Sequence, residues 1–448
     1  MDTLKIKFRQ FLNGYYYPVL IFFTALIAHT FSIEVFGAAI FFLTASVGFI
    51  VCDDLKFLIS PMLTFILMFS QKSIGSGIFY TKPYIVAMIC CGVYLISLFI
   101  AHFIIHKKRI DVKSIFKSKL FWGFSLLCLS FLLNGCLNFD EYDFGNIIFA
   151  LALIASFGIV FLLFSINLKN DDNLRRYLLF VLYLISLLIT LQLFLSFSNQ
   201  IRFSNGEIVK ESVLLGWGMW NNIGGMLSFL LPVHFYFASV VKKYGFVFYL
   251  SGMVSYIAIA LTLSRSSLLV STAIIVISAL ISCFWGDNKK NNRIITVLVA
   301  LAGCVGIAVL WDKIGEILGD YLRRGLDDNG RFEIYKKGFN NFLRNPVFGG
   351  GFCSARAQEH QFVIFLPDRY HNTFVQLLGT CGLTGFIAYC FHRYQTIKLA
   401  LNKKSLSTVF FILCITSLLL TSMLDNHFFN IYPGMFYSLI LVVLEKTD

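Results

Sequence analysis

The chain has 448 residues, of which 58% are hydrophobic and 14% are charged, with a mean hydropathy of +0.76. A soluble core of this length cannot bury so much apolar surface, so the composition excludes an ordinary soluble enzyme. The formal net charge of +13 would suggest a nucleic-acid partner in a soluble protein, but a membrane protein uses much of its lysine and arginine for orientation. We therefore expect a membrane protein without a nucleic-acid partner.

Apolar blocks recur from Pro18 to Leu444, so they predict many helices rather than one cleavable targeting segment. The blocks predict about 14 spans, and because several are short for a bilayer, some are expected to be tilted, re-entrant or merged. The predicted fold is an all-α bundle of about 12–14 spans, with helices in 1–311, a large outer loop in 312–370 and further helices in 371–448. The candidate spans are roughly 18–31, 33–51, 57–70, 83–105, 120–137, 146–166, 178–196, 217–240, 245–263, 267–284, 294–311, 371–391, 405–423 and 431–444.

Basic residues predict the orientation of these spans. An inside N-terminus places most lysine and arginine clusters inside, as the positive-inside rule requires. The long loop 312–370 is the exception, because it is predicted to lie outside and is nevertheless basic. This predicts contact with an anion, although a solvated loop near anionic lipid headgroups would also explain it. Its basic residues are Lys313, Arg323, Arg324, Arg331, Lys336, Lys337, Arg344, Arg356 and Arg369.

Several common cofactor and metal motifs are missing from the sequence. Of the 11 cysteines only Cys353 lies in the long loop, the others stand in or beside apolar blocks, and none has zinc-type spacing. We expect buried thiols. No GK[ST] loop, HExxH helix or GxSxG elbow is present, so nucleotide phosphoryl transfer, zinc proteolysis and serine hydrolysis lack their usual signatures. No cofactor and no metal are expected.

The long loop contains GRFEIYKKGFNNFLRNPVFGGGF from Gly330 onward. Its aromatic residues recur at helical spacing opposite lysines, which predicts an amphipathic helix at the membrane interface. Asn345-Pro346 is expected to end that helix, and the glycines 349–351 would then allow a tight bend close to a ligand. A simple flexible turn is the alternative for these glycines.

The loop ends in RYHNTFVQLLGTCGLTGF, which places His371 at the outer mouth of the next helix. A histidine can take a proton near neutral pH, and Tyr370 and Asn372 can hydrogen-bond a sugar or orient the ring. His371 could also be an ordinary helix-end histidine. Gly379, Gly382 and Gly385 predict close helix packing.

Three more residues stand at predicted outer helix ends. Arg265, in LTLSRSSLL, lies between two apolar blocks, where a guanidinium either binds an anion or reaches the headgroups. Trp217 and Trp220, in GWGMWNNIGG, fit an aromatic belt, and they could also stack against a sugar.

The motifs SRSSLL, GRFEIYKKGFNNFLRNPVFGGG and HNTFVQLLGTCGLTGF follow one another in an order that resembles the bacterial O-antigen ligase and O-antigen polymerase superfamily. The resemblance is most specific over residues 215–391. It implies a metal-independent glycosyltransferase of lipopolysaccharide or polysaccharide biosynthesis. The donor would be a glycan on undecaprenyl diphosphate, and the acceptor another glycan or lipid A core. Arg265 and Arg331 would clamp the diphosphate, and His371 would activate or position the acceptor hydroxyl.

The resemblance further implies a multi-pass protein of the bacterial cytoplasmic membrane with its active site on the outer face. The predicted substrate-binding set is Arg265, Arg331, Asn372, Tyr370, Trp217 and Trp220. Ligase and polymerase remain equal possibilities. A flippase or other transporter of lipid-linked glycans would also need cations, but transporters tend to place ionisable groups at mid-membrane. A purely structural membrane scaffold is a third possibility.

Overall fold

A computed structural model describes residues 2–70, 82–107, 112–138, 145–171, 173–204, 207–309, 311, 330–353 and 369–447. Several sequence-based expectations concern residues 312–329 and 354–368, including those for Lys313, Arg323, Arg324 and Arg356, and these lie outside the described residues. The described chain is helical apart from short turns and two small hairpins, which confirms the all-α prediction.

The helices are α1 (Asp2–Leu12), α2 (Tyr16–Phe31), α3 (Glu34–Val51), α4 (Ile59–Thr64), α5 (Lys82–Ile105), α6 (Val112–Lys117), α7 (Phe121–Leu132), α8 (Gly145–Ile154), α9 (Val160–Asn167), α10 (Leu174–Asn199), α11 (Trp220–Leu230), α12 (Pro232–Val240), α13 (Gly245–Leu261), α14 (Arg265–Phe284), α15 (Lys289–Val309), α16 (Arg331–Arg344), α17 (Thr373–Leu401), α18 (Leu406–Leu424) and α19 (Ile431–Lys446). Two antiparallel hairpins stand between α10 and α11. They pair β1 (Phe203–Ser204) with β2 (Glu207–Ile208) and β3 (Leu214–Leu215) with β4 (Gly218–Met219).

Within the described ranges, seven helices are long and apolar enough to cross a membrane, or eight if the bent pair Leu4–Leu12 and Tyr16–Phe31 forms one span. Four shorter apolar helices add to these at Lys56–Met68, Cys90–Ile105, Phe121–Leu132 and Gly245–Leu261. The sequence blocks therefore correspond to helices, but several are shorter than ~20 residues, the length that a perpendicular span needs. Two blocks are interrupted helices: α8 joins α9 through a π turn, and α11 joins α12 at Leu231.

The span Trp220–Val240 lies at the centre of the bundle, since 94% of an apolar 18-residue stretch within it is buried. Pro232 has no backbone N–H, so the helical hydrogen-bond pattern is interrupted at Leu231, whose backbone stays helical with φ −53° and ψ −40°. Polar side chains bond across this centre. His234 contacts Ser251 and Ser186, at 2.8 Å each, and Ser228 contacts Ser417 at 2.9 Å. Such bonds hold helices together where no water is present.

One end of the bundle collects several helix ends. The N-termini of α11, α14, α16 and α17 meet there with the C-terminus of α18 and with the two hairpins. Close packing of α16 on α17 aligns two of these ends. A Cβ on Gly338 would lie 2.6 Å from Val375, and one on Gly379 would lie 3.1 Å from the Gly338 carbonyl oxygen. The small residues of α17 thus permit close approach, as the sequence predicted.

Candidate active site

A polar cavity of about 200 Å³ opens where these helix ends meet. Its lining comes from five separate parts of the chain, spread over more than 150 residues of sequence. Arg265, Arg331 and His371 lie together in this lining, as the resemblance implied. The lining residues are Lys210, Asn221, Arg265, Ser266, Arg331, Ile334 and His371.

Arg265 is the first residue of α14 and follows a tight turn from α13. Leu263 in that turn has φ 56°, a left-handed conformation that side chains other than glycine rarely adopt. Ser264 and Ser267 bond to each other through their hydroxyls at 2.9 Å. Gly224 of α11 makes room for the turn, since a Cβ there would lie 2.9 Å from the Ser267 hydroxyl. The turn therefore fixes where the Arg265 guanidinium enters the cavity.

Arg331 is the first residue of α16, directly after Gly330 at φ 73°. The helix ends at Arg344, immediately before Asn345-Pro346, as the sequence predicted. The helix is amphipathic as expected, with Phe332 and Leu343 each 73% exposed on its outer side. Its Gly338 face packs on α17, and that packing carries Arg331 to the cavity.

The glycine run 349–351 does not bend around the cavity, and none of its residues is in the described lining. A ligand near this bend stays a prediction, and the contacts that the structure shows for the bend are with α17. Gly350 and Gly351 donate backbone hydrogen bonds to the carbonyls of Gly379 and Thr380, at 2.8 and 3.0 Å. They meet α17 where Gly382 breaks its helical conformation at φ 64°. Glycine is needed here because two backbones are in contact. The sequence pattern alone does not distinguish this contact from the close approach of a ligand.

His371 forms an ion-pair geometry with Asp425 at the end of α18, with Nδ1 2.8 Å from Oδ1. A carboxylate only accepts hydrogen bonds, so Nδ1 carries the proton and Nε2 is the acceptor of the neutral ring. His371 itself has φ 51°, so the ring is held on a strained backbone. Burial raises the pKa of Asp425, but the hydrogen bond from His371 and nearby positive charge hold that pKa well below its usual range.

Backbone and side-chain amide hydrogen bonds hold the His371–Asp425 pair in position. Gln376 accepts hydrogen bonds on Oε1 from the Tyr370 backbone N–H, at 2.9 Å, and from the Asn426 side chain. Asn426 also donates its backbone N–H to the Asp425 carboxylate at 2.8 Å. One glutamine on α17 therefore joins the residue before His371 to the residue after Asp425.

His427 lies behind Asp425 and is buried against α11. A Cβ on Gly225 would lie 2.5 Å from its ring. Burial lowers the pKa of His427, Asp425 opposes this, and Arg369 and His371 lower the pKa further. The paired glycines of the Trp-containing motif thus make room for Ser267 and for His427. Asp425 was not among the predicted site residues.

The other predicted substrate-binding residues occupy structural positions outside the described cavity lining. Asn372 caps α17 through Oδ1, which accepts from Phe374 and Val375, and its amide donates to the Met423 carbonyl at 3.0 Å. Tyr370 is 1% exposed, and its hydroxyl accepts from Asn341 at 2.8 Å. These contacts give both residues a role in positioning His371, and sugar contact by either remains a prediction.

The two tryptophans differ in their surroundings. Trp217 donates Nε1 to Gln192 at 3.2 Å and packs near Tyr432, so it anchors the hairpin loop to the bundle. Trp220 begins α11 beside the cavity-lining Asn221, and the Lys210 ammonium lies 5.7 Å from its ring centroid. Sugar stacking by these rings remains a prediction for both.

The site is suited to an anion. Among the described residues, the N-cap residues Met219 of α11 and Ser264 of α14 make no side-chain cap hydrogen bond, and the N-cap of α16 is Gly330, which has no side chain. The positive ends of these helix dipoles lie beside two guanidiniums and the Lys210 ammonium. In the part of the chain that the structure describes, no three His, Cys, Asp or Glu side chains are grouped to hold a metal ion. The arrangement is that of a membrane-embedded protein with a cationic pocket and one histidine–carboxylate pair.

Residues 250–390 match a family model described as O-antigen ligase. The match includes Arg265, Arg331 and His371, and it excludes Lys210 and Asp425. No curated protein sequence matches the chain. The match supports membership of the O-antigen ligase and O-antigen polymerase superfamily, a class of glycan ligases and polymerases, and it covers residues 250–390 only.

Proposed function

We propose that the protein transfers a glycan from undecaprenyl diphosphate to an acceptor hydroxyl, without metal, at the outer face of the bacterial cytoplasmic membrane. The acceptor is lipid A core if the enzyme is a ligase and another lipid-linked glycan if it is a polymerase. The observation that carries the proposal is the shared cavity of Arg265, Arg331 and His371. These side chains supply charge for a diphosphate leaving group and a proton acceptor for the incoming hydroxyl.

The two arginines would act mainly on the leaving group. A guanidinium presents a planar fork of donors that matches phosphate oxygens, and it stays charged at any physiological pH. Both arginines begin a helix, and the positive ends of these helix dipoles add to the same electrostatic field. Because both arginines stand at the first position of a helix, their backbones are placed at the cavity before the donor binds, which favours stabilisation of developing charge.

His371 would take the proton from the acceptor hydroxyl at Nε2. Asp425 holds the opposite ring nitrogen at 2.8 Å, which fixes the tautomer and stabilises the imidazolium that forms. The bond from the anomeric carbon to phosphate oxygen breaks, its electrons stay on the diphosphate, and the acceptor oxygen forms the new bond. The cluster at one end of the bundle favours this one-sided enzyme over a transporter with mid-membrane charges.

Purified protein would be given undecaprenyl-diphosphate-linked oligosaccharide in the presence of a chelator and without nucleotide. Lipid A core and lipid-linked repeat units would be offered as separate acceptors. A product on lipid A core identifies a ligase, and a ladder of longer lipid-linked glycans identifies a polymerase. H371A should abolish transfer while the protein remains folded and inserted. Movement of labelled donor lipid across liposomes without acceptor, together with no transfer, would instead identify a flippase.

A further inference from the structure

Lys210 is a third cation of the cavity, and neither the family match nor the predicted site includes it. It stands in the loop between α10 and α11, 55 residues before Arg265 in the sequence. We propose that Lys210 is a catalytic cation whose ammonium group neutralises the extra negative charge that the diphosphate gains as the glycosyl bond breaks. This inference rests on the proposed glycan transfer.

The loop that carries Lys210 is held by backbone contacts rather than left to solvent. Val209 donates its N–H to the Arg202 carbonyl at 2.9 Å, and Arg202 donates its own N–H to the Ser212 hydroxyl at 2.9 Å. A short turn follows in which the buried Val213 donates to the Lys210 carbonyl at 3.0 Å. The backbone of Lys210 is therefore fixed at the cavity edge.

Trp220 directs the side chain from there. The Lys210 ammonium lies 5.7 Å from the centroid of its ring. A cation at this distance is attracted to the face of the ring. This attraction offsets part of the repulsion that the ammonium meets from Arg265 and Arg331, which line the same cavity.

The charge on the diphosphate changes during the reaction, and this change explains why a third cation would help. In the donor each phosphate is a diester, so the diphosphate has about two negative charges. When the glycosyl group leaves, the terminal phosphate becomes a monoester, whose second ionisation lies near pH 6, and the group gains about one more charge. Arg265 and Arg331 match the donor, and a third cation matches the leaving group. An interaction that grows during the reaction raises kcat rather than donor affinity.

The protonation state of Lys210 can be tested through the pH dependence of the rate. The pKa of Lys210 is lowered, first by burial and then by the positive charges of Arg265 and Arg331. The negative charges of Glu211 and Asp425 raise this pKa but do not reverse the fall. The ammonium is the active form, so the rate should decline as pH rises through this lowered pKa. An arginine in its place would stay charged.

The test uses full-length protein in nanodiscs. K210M should reduce kcat by about 10- to 100-fold, with little change in the donor KM. K210R should recover much of kcat and move the alkaline decline to higher pH. The matched control is K243M, because Lys243 also lies over an aromatic ring, Tyr244, at 5.3 Å, at the other end of the central span. If the wild-type protein transfers glycan and K210M has the same kcat, the inference is overturned. A K210M variant that changes only the donor KM would also overturn it. Either result would leave the proposed function intact.

A binding measurement tests the same inference independently of turnover. Wild-type protein should bind farnesyl diphosphate, a monoester, more tightly than glucosyl farnesyl diphosphate, its diester. K210M should lose most of this preference, and K243M should keep it. An unchanged preference in K210M would overturn the inference, whereas absence of turnover by the wild-type protein would count against the proposed function.

Discussion

Replacing Asp425 with asparagine removes the charge that faces His371 and almost preserves the shape of the side chain. The carboxylate accepts a hydrogen bond from Nδ1 at 2.8 Å, and its side chain is 10% exposed. A hydrogen bond to a charged group contributes about 1.5–3 kcal/mol. Since about 1.4 kcal/mol corresponds to a tenfold change in rate, D425N should reduce kcat by about 10- to 100-fold.

The loss should fall on kcat because the ring gains its positive charge during the reaction, when the carboxylate matters most. Transfer kinetics at varied donor concentration would separate kcat from KM. The control is D287N, which changes an exposed aspartate beyond the C-terminus of α14. If D425N kept its kcat within about threefold of wild type while H371A was inactive, the proposed role of the pair would be wrong.

The same carboxylate should make stability depend on pH. Burial raises the pKa of Asp425, but the His371 hydrogen bond and nearby positive charge reverse this, so the pKa in the folded protein is lower than in the unfolded chain. The carboxylate therefore stabilises the fold above the ordinary aspartate range, and the contribution is lost as pH falls through the lower folded-state pKa. Melting of wild type and D425N from pH 7 to pH 3 would show their difference shrinking only at the acidic end. A difference that did not change with pH would contradict this.

Two further substitutions test how the glycine run and the residue after it are held, the first against α17 and the second against the segment that follows α7. G382A should destabilise the protein by about 2 kcal/mol or more, since the position has φ 64° and a Cβ would lie 2.6 Å from the Gly349 nitrogen. G303A, where a Cβ would meet nothing within 4 Å, should change stability by less than about 1 kcal/mol in the same melting assay. N134A should destabilise by about 1–3 kcal/mol because it leaves the buried Phe352 N–H, now bonded to Asn134 at 3.0 Å, without that acceptor. If G382A melted at the same temperature as G303A, or N134A at the same temperature as the wild-type protein, the packing described here would be wrong.

Local sequence was sufficient to predict most of the helices. Hydropathy identified the apolar helices, and Asn345-Pro346 predicted the end of α16 at Arg344. Ordered motifs predicted the resemblance to O-antigen ligases that the family match over residues 250–390 supports. They also named Arg265, Arg331 and His371, which share one cavity. Helices and their ends can be predicted in this way because apolar runs and helix stop signals are properties of neighbouring residues.

The partners of those residues depended on the tertiary structure. Asp425 lies 54 residues from His371, and Lys210 precedes the matched domain, so neither position is marked by a local pattern. The glycine pattern predicted close approach to Gly350 without naming the neighbour, and the structure shows the Gly379 backbone there. Hydropathy determines which segments are helical and apolar, whereas side-chain and backbone complementarity between distant segments determines which of their ends meet.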